Sequence, residues 1–373
     1  LDLERTLMIF KSIELKGKEL LFRVLKLFLR SAGEESLKPG GVDLRRIRRI
    51  LVVRQDDRIG NLILTTPLLS ALRSSFPRAE IWYLASRTFH TLFSGSKLVD
   101  RILVARKRLY IFNPAALLLF IGKIRRQRFD LAIDASDENN FSLNNSFLVL
   151  LSGARYRIGY RKPRSSLFLN LEVPASRTRR HASETYLDLL RYLVGDVRSN
   201  GLEVDVDPKR AAQAQAYLEG KGVKPGDLLI GMHIGGRLRK RWQPESFREL
   251  AGWLTDTFGA KVIVFWGPEE KAAIRQFGRG NARQIVSDPF GLPMLAALIQ
   301  KCSLFISPDT GAMHLSVAVG TPTLALFLDS DEVKFGPRGD RHRVLLSPNA
   351  KLPVEKVEAE FQELAKSLGL VEC

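Results

Sequence analysis

Three segments in the second half of the chain carry side chains suited to holding a phosphorylated ligand. The first, Gly231 to Trp242, contains Gly235 and Gly236 followed by Arg237, Arg239, Lys240 and Arg241. Paired glycines let backbone approach a ligand closely, and the cations could neutralise phosphate. The second, Phe265 to Glu270, sets the carboxylates of Glu269 and Glu270 after an apolar run, where they suit ribose hydroxyls. The third runs from Ser307 through Asp309, Thr310 and Gly311 to His314 and opens a helix after a strand. Free amides at a helix N-terminus bind phosphate without needing a metal. Thr310 and His314 are four apart and face the same way. Each segment also has a plainer reading, with Asp309 as a helix cap and His314 as a satisfied buried histidine.

In the first half, Arg54 to Asn61 fills the turn after an apolar strand. Asp56, Asp57 and Asn61 are candidates for holding a hydroxyl, and the two carboxylates could also deprotonate it. Turn formation and capping would equally suit all three. Other chemistries fit less well. No Walker loop or metalloprotease helix is present, and no strand is followed by a complete GxGxxG. The single Asp309-Thr-Gly triplet matches aspartic proteases, but that reaction needs paired carboxylates in a β-rich fold. Asp205/Asp207 and Asp329/Asp331 have DxD spacing and read as linker and turn carboxylates.

The elements that must position these residues alternate. Ile50–Val53, Glu80–Leu84, Arg101–Val104 and Leu131–Asp134 read as strands, with helices over about Leu62–Ser75 and from Asn113-Pro114 to about Gln127. Beyond a junction between Gly195 and Gly226 the scheme repeats. Leu228–Met232, Lys261–Trp266, Ser303–Ser307 and Thr323–Leu328 read as strands. Pro244–Phe258, Glu269–Phe277, Met294–Gln300 and Ala312–Val319 read as helices, and Val354–Leu368 as a terminal one. Strands and helices alternating at this length predict parallel, doubly wound α/β sheets. The expected units are an amphipathic segment and linker over residues 1–41, domains over 42–200 and 201–350, and a C-terminal helix over 351–373. In the first unit Leu20, Leu21, Val24, Leu25 and Phe28 share a face, with Lys18, Arg23, Lys26 and Arg30 on the other flank. Such a helix suits a membrane interface, or packing on its own domain or a second subunit.

Charge is distributed unevenly. Residues 1–200 carry 36 Lys and Arg against 19 Asp and Glu, whereas residues 201–373 carry 22 against 21. A one-sided field of this kind suits an anionic partner: nucleic acid, an acidic membrane or a phosphorylated glycolipid. Nucleic acid is the poorer fit, because it leaves the second-half motifs and that half's neutrality unexplained. The two cysteines, Cys302 and Cys373, match neither a zinc site nor a disulfide framework and fit a reducing compartment. No apolar run is long enough to span a bilayer, and the first apolar stretches are interrupted by Lys and Arg, unlike a signal peptide.

Taken in order, the motifs resemble glycosyltransferase family 9, which contains the lipopolysaccharide heptosyltransferases. The resemblance runs from Ile50–Arg54, Arg58–Asn61 and Leu64–Pro67 through Arg155–Tyr160 and the His181 to Leu190 region. It continues with Gly235-Gly236, Lys240–Trp242, Asp309–His314 and Gly320–Pro322, covering roughly residues 48–345. It implies a GT-B fold, two doubly wound Rossmann-like domains facing each other across a cleft, with the sugar nucleotide held mainly by the second. Lys240 would contact the diphosphate, Glu269 the nucleoside hydroxyls, and Thr310 and Gly311 the phosphate through their amides, with Asp309 and His314 close by. The implied reaction is inverting and metal-independent, with ADP-heptose as donor and no resident cofactor. The acceptor would be a phosphorylated glycolipid lying against the basic first domain. The expected setting is cytoplasmic, peripheral on the inner face of the inner membrane, with an anionic membrane surface as partner and no nucleic acid. One position departs from the family. Asn61 stands where the family's aspartate serves as presumed base, and an amide cannot accept the proton. Either Asp57 or Asp56 takes over, or the acceptor differs, or activity is low; of the two carboxylates, Asp57 is favoured.

Overall fold

The computed structural model describes residues 36–56, 58–87, 90–106, 109–110, 113–176, 178–278, 281–347 and 351–372. The amphipathic segment over 1–30 and Asp57 lie outside the described residues. In the first half, β1 (Arg49–Val53) leads into α1 (Ile59–Ile63) and α2 (Thr66–Ser75). Then come β2 (Glu80–Ser86), β3 (Arg101–Ala105), α3 (Pro114–Arg125), β4 (Leu131–Asp134) and α4 (Leu143–Leu151). β5 (Tyr156–Tyr160), β6 (Leu171–Val173) and α5 (Ala182–Val194) complete it. The second half opens with α6 (Pro208–Gly220), β7 (Leu229–His233), α7 (Pro244–Phe258), β8 (Lys261–Phe265) and β9 (Gln284–Val286). It continues through α8 (Leu292–Gln300), β10 (Leu304–Pro308), α9 (Gly311–Ala318) and β11 (Thr323–Phe327). α10 (Glu332–Phe335), β12 (His342–Leu346) and α11 (Val354–Ser367) close the described fold.

The strands form two six-stranded sheets, ordered β3-β2-β1-β4-β5-β6 and β12-β11-β10-β7-β8-β9, with parallel pairing. Numbered within each half, both follow the order 3-2-1-4-5-6 of the Rossmann fold. The strand order therefore reverses between β1 and β4 in one sheet and between β7 and β10 in the other. Ligand crevices of open α/β sheets lie outside the strand ends at these points. The central strands are apolar because helices cover both faces: Ile50–Val53 of β1 and all of β11 are buried.

Local chemistry sets the helix starts. Asn113 caps α3 by accepting from the Ala116 amide, and Asp207 caps α6 by accepting from Arg210, each followed by proline. The single helix expected over Leu62–Ser75 is broken into α1 and α2. Pro67 lacks the amide that would bond the Ile63 carbonyl, and the Thr66 hydroxyl donates to that oxygen instead at 2.8 Å. Thr65 donates likewise to the Leu62 carbonyl at 2.6 Å. The helix expected over Glu269–Phe277 is absent as well, replaced by 3-10 turns at Pro268–Glu270 and Ala273–Gln276. Here the Glu270 carboxylate folds back to accept from the Gly267 amide at 3.0 Å, which tightens the turn.

The halves are stitched together. The Glu203 amide donates to the Thr66 hydroxyl of the first half at 3.0 Å, and the next residue, Val204, fixes the same linker to the second half by donating to the Ala318 carbonyl at 2.9 Å. One buried cluster contains Leu69 and Leu187 from the first half and Ile299 and Leu315 from the second. Helix α11 adds Val357, Phe361 and Leu364 to the core of the second half, where Phe361 meets Trp253 edge to face at 5.9 Å.

Candidate active site

A cavity of ≈ 760 Å³ opens between the two sheets at their switch points. Arg58, Ile59, Gly60 and Asn61 line it from the first half, just past β1. From the second half come Gly235, Gly236 and Lys240 after β7, Glu269 after β8, and Asp309, Thr310, Gly311 and His314 after β10. The cavity thus brings together all eight residues expected at the nucleotide, and Asn61 joins them.

At its floor, Lys240 Nζ lies 2.5 Å from Asp309 Oδ2. Asp309 is nearly buried and is not a helix cap; Thr310 occupies that position. His314 Nε2 lies 3.9 Å from the other oxygen of Asp309. An ammonium has three donors, so Lys240 keeps two for a ligand while Asp309 fixes its position. The Lys240 Nζ also lies 5.9 Å from the centre of the Phe335 ring. Burial pushes His233 and His314 down to about 4, and both are neutral near pH 7. Thr310 Oγ1 lies 3.1 Å from Ser307 Oγ and 3.5 Å from His233 Nδ1.

The basic loop has divided duties. Arg241 is a clip: it donates to Glu270 at 2.8 Å and to the Gly236 carbonyl at 3.1 Å. Arg237 and Arg239 are exposed at the cavity, and among the described residues neither pairs with a carboxylate. The two glycines are required by the loop's own fold. A Cβ on Gly235 would fall 2.5 Å from His233 Cε1, and one on Gly236 would fall 2.9 Å from the Arg241 Cα. Glu269 is exposed at the cavity, its carboxylate 3.7 Å from Arg241.

Across the cavity, Asp56 is fully engaged. It accepts from Arg54 Nη2 at 2.9 Å, from the Arg58 amide at 3.0 Å and from Asn61 Nδ2 at 2.7 Å. Arg54 is itself buried and donates to the Ala135 carbonyl at 2.5 Å. The Asn61 amide nitrogen is therefore turned toward Asp56. The halves touch where α1 meets α9. A Cβ on Gly311 would lie 1.9 Å from Ile59 Cγ2, and one on Gly60 would lie 2.7 Å from His314 Cδ2. Only glycine permits this approach.

From sequence, none of His233, Arg58, Asp329 and Phe335 was given a role in the site, yet all four line the cavity. His233 ends β7 beside Gly235, so register alone could have found it. Asp329, read as a turn carboxylate, sits just past the carboxyl end of β11. Its DxD partner Asp331 caps α10 and pairs with Arg179 at 2.8 Å. Phe335 arrives from α10 with no local signal.

Comparison with known proteins finds relatives of the same fold. Lipopolysaccharide heptosyltransferase 1 of Escherichia coli K12 is 24% identical over 329 residues, covering 85% of this chain and 99% of that protein. The glycosyl transferase family 9 crystal structure from Veillonella parvula superposes with a TM-score of 0.74 at 26% identity, over 89% of this chain and 94% of that one. An Escherichia coli heptosyltransferase solved with ADP-2-deoxy-2-fluoro heptose superposes with a TM-score of 0.67 at 23% identity, over 84% and 99%. Residues 118–365 match the profile of glycosyltransferase family 9 (heptosyltransferase). The chain belongs to that family and is a glycosyltransferase of two Rossmann-like domains.

Proposed function

We propose that the protein transfers a heptose from ADP-heptose to a lipopolysaccharide inner-core acceptor, with inversion and without a metal, on the cytoplasmic face of the inner membrane. The observation that carries this reading is the Lys240–Asp309 pair beside the N-terminus of α9, at the switch point of the second sheet. A diphosphate seated there meets the free donors of Lys240, the exposed Arg237 and Arg239, and the first amides of α9. Glu269, facing the cavity, suits the nucleoside hydroxyls. The likeness to a heptosyltransferase solved with an ADP-heptose analogue supports the choice of donor.

In the reaction, the acceptor oxygen bonds to the anomeric carbon as the bond from that carbon to the diphosphate breaks. The electron pair leaves with ADP, whose growing charge the cations and the helix terminus stabilise. The acceptor hydroxyl's proton goes to a carboxylate. Asp56 already accepts from three donors, which favours Asp57 as the base. Asn61, held by Asp56, leaves its carbonyl oxygen to orient the hydroxyl.

The test is incubation with ADP-heptose and heptose-deficient lipopolysaccharide in excess EDTA. The expected result is ADP release with a mass gain of one heptose on the acceptor and an inverted anomeric centre. ADP-heptose left intact, with another sugar nucleotide consumed, would assign a different donor.

A further inference from the structure

Helix α3 is built almost wholly of apolar residues, yet only Ile124 of its twelve is buried. Leu118 and Leu119 are 68% and 76% exposed, and Leu109 just before the helix is 41% exposed. These are three of the five large exposed apolar side chains among the described residues. Scattered exposed leucines need no explanation, but a helix that leaves its apolar face in water does. Tyr110 stacks on Phe120 with ring centres 4.9 Å apart, which fixes the helix start rather than covering its outer face.

The surrounding charge has one sign. Residues 101–129 contain eight Lys and Arg and no Asp or Glu. Arg106, Lys123, Arg126 and Arg128 are exposed, and among the described residues none pairs with a carboxylate. Arg101 is the exception, bound to Glu80 at 2.9 Å. The neighbouring helix α4 carries no charged side chain at all.

We propose that α3 and its cationic flanks dock the protein on an anionic lipid bilayer. The leucines enter the acyl boundary while the cations meet headgroup phosphates, a pairing of forces that neither supplies alone. A second copy would set the same cations against each other. Residues 1–30, with seven Lys and Arg against four acids, would not neutralise them either. The segment leaves β3 at Ala105, at the carboxyl edge of the sheet, the same edge from which β1 leads to the cavity-lining Arg58–Asn61. This deepens the reading of a lipid-anchored acceptor and rests on that reading for its purpose.

The test uses the full chain and cosedimentation with phosphatidylglycerol or phosphatidylcholine vesicles. Two double variants are compared, Leu118→Ser with Leu119→Ser, and Lys123→Glu with Arg126→Glu. Every substituted side chain is exposed, so melting temperature and the ADP-induced shift should stay at wild-type values. The proposal expects wild-type binding to phosphatidylglycerol only, weakened at least about tenfold in each variant and reduced by salt. Unchanged vesicle binding in both variants overturns it. So does a wild-type dimer that the leucine variant dissolves, which would make a second copy the occupant. If ADP fails to shift even the wild type while vesicle binding still depends on α3, the donor assignment falls and the docking surface stands.

Discussion

At the residue scale, the Asp56–Asn61 contact changes what substitutions at the turn should do. Asp57→Asn is expected to cut turnover by about 10²–10⁴-fold while nucleotide affinity stays constant. From sequence alone, Asn61→Asp should preserve or raise turnover by restoring the family's carboxylate. The geometry adds a condition, because the new carboxylate would face Asp56 across the present 2.7 Å contact. Two carboxylates that close share a proton, and one titrates well above its usual range. Any gain in activity from Asn61→Asp should therefore appear only as pH rises, and a pH–rate profile identical to wild type would refute the contact. Buried histidines supply a second test. The fold pushes His233, His314 and His342 down to about 4 and His181 to about 3, chiefly by burial, with the neighbouring Lys240, Arg341 and Arg338 adding to it at His314, His342 and His181. An unfolded histidine titrates near 6.5. Between those values the unfolded chain binds more protons, so stability should fall as pH drops through about 6.5, and the histidine contribution should level off only near 3. Flat melting temperatures across pH 6.5 to 4 would contradict this.

At the element scale, legibility followed burial and locality. The strands β1, β7, β8, β10 and β11 are contiguous apolar runs covered on both faces, and they stand within a residue or two of where the sequence placed them. The Asn113 cap lies three residues from the amide it satisfies and was legible from sequence, whereas Asp207, read as a linker carboxylate, caps α6 in the same way. The strands β5, β6, β9 and β12 went unread. β12 is only half-buried, so its apolar pattern is weak. The division of α1 from α2 depends on two threonine hydroxyls replacing a proline's missing amide, a competition that periodicity does not register. In the site, strand-end motifs were legible because topology fixes where ligands bind. The Asp56–Asn61 and Lys240–Asp309 pairings were not, since they depend on tertiary geometry. The α1–α9 seam can be tested directly. Gly311→Ala forces a methyl into Ile59 and should cost about 1–3 kcal/mol by overpacking. Adding Ile59→Ala in the same chain should recover much of it. A denaturant midpoint unmoved by Gly311→Ala would show that the seam is looser than described.

At the scale of the whole molecule, two sheets of the same topology and very different net charge face one cavity. In the proposed reaction the cationic half would meet the phosphorylated acceptor, and the nearly neutral half would hold the diphosphate through Lys240, Arg237 and Arg239. Ion pairs around α10 bridge them: Lys334 with Asp137 at 3.1 Å, Arg179 with Asp331 at 2.8 Å and Arg338 with Glu184 at 3.3 Å. Each is partly exposed and weak alone, so single substitutions should change little. Replacing Arg179, Lys334 and Arg338 together with glutamine should open the cleft, raising the radius of gyration in solution scattering.

The central claim is that a nucleoside diphosphate sits against Lys240 in the interdomain cavity, and ADP-dependent melting of wild type and Lys240→Ala tests it most directly. At about one hundred times its Kd, ADP should stabilise the wild type by about 2.7 kcal/mol. The substitution leaves Asp309 nearly buried without its cation, so the ligand-free variant should itself melt lower. The informative quantity is the increment that ADP adds to each protein. The account predicts a clear increment in the wild type and a much smaller one in Lys240→Ala. Equal increments in the two proteins, or none in the wild type at millimolar ADP, would contradict it.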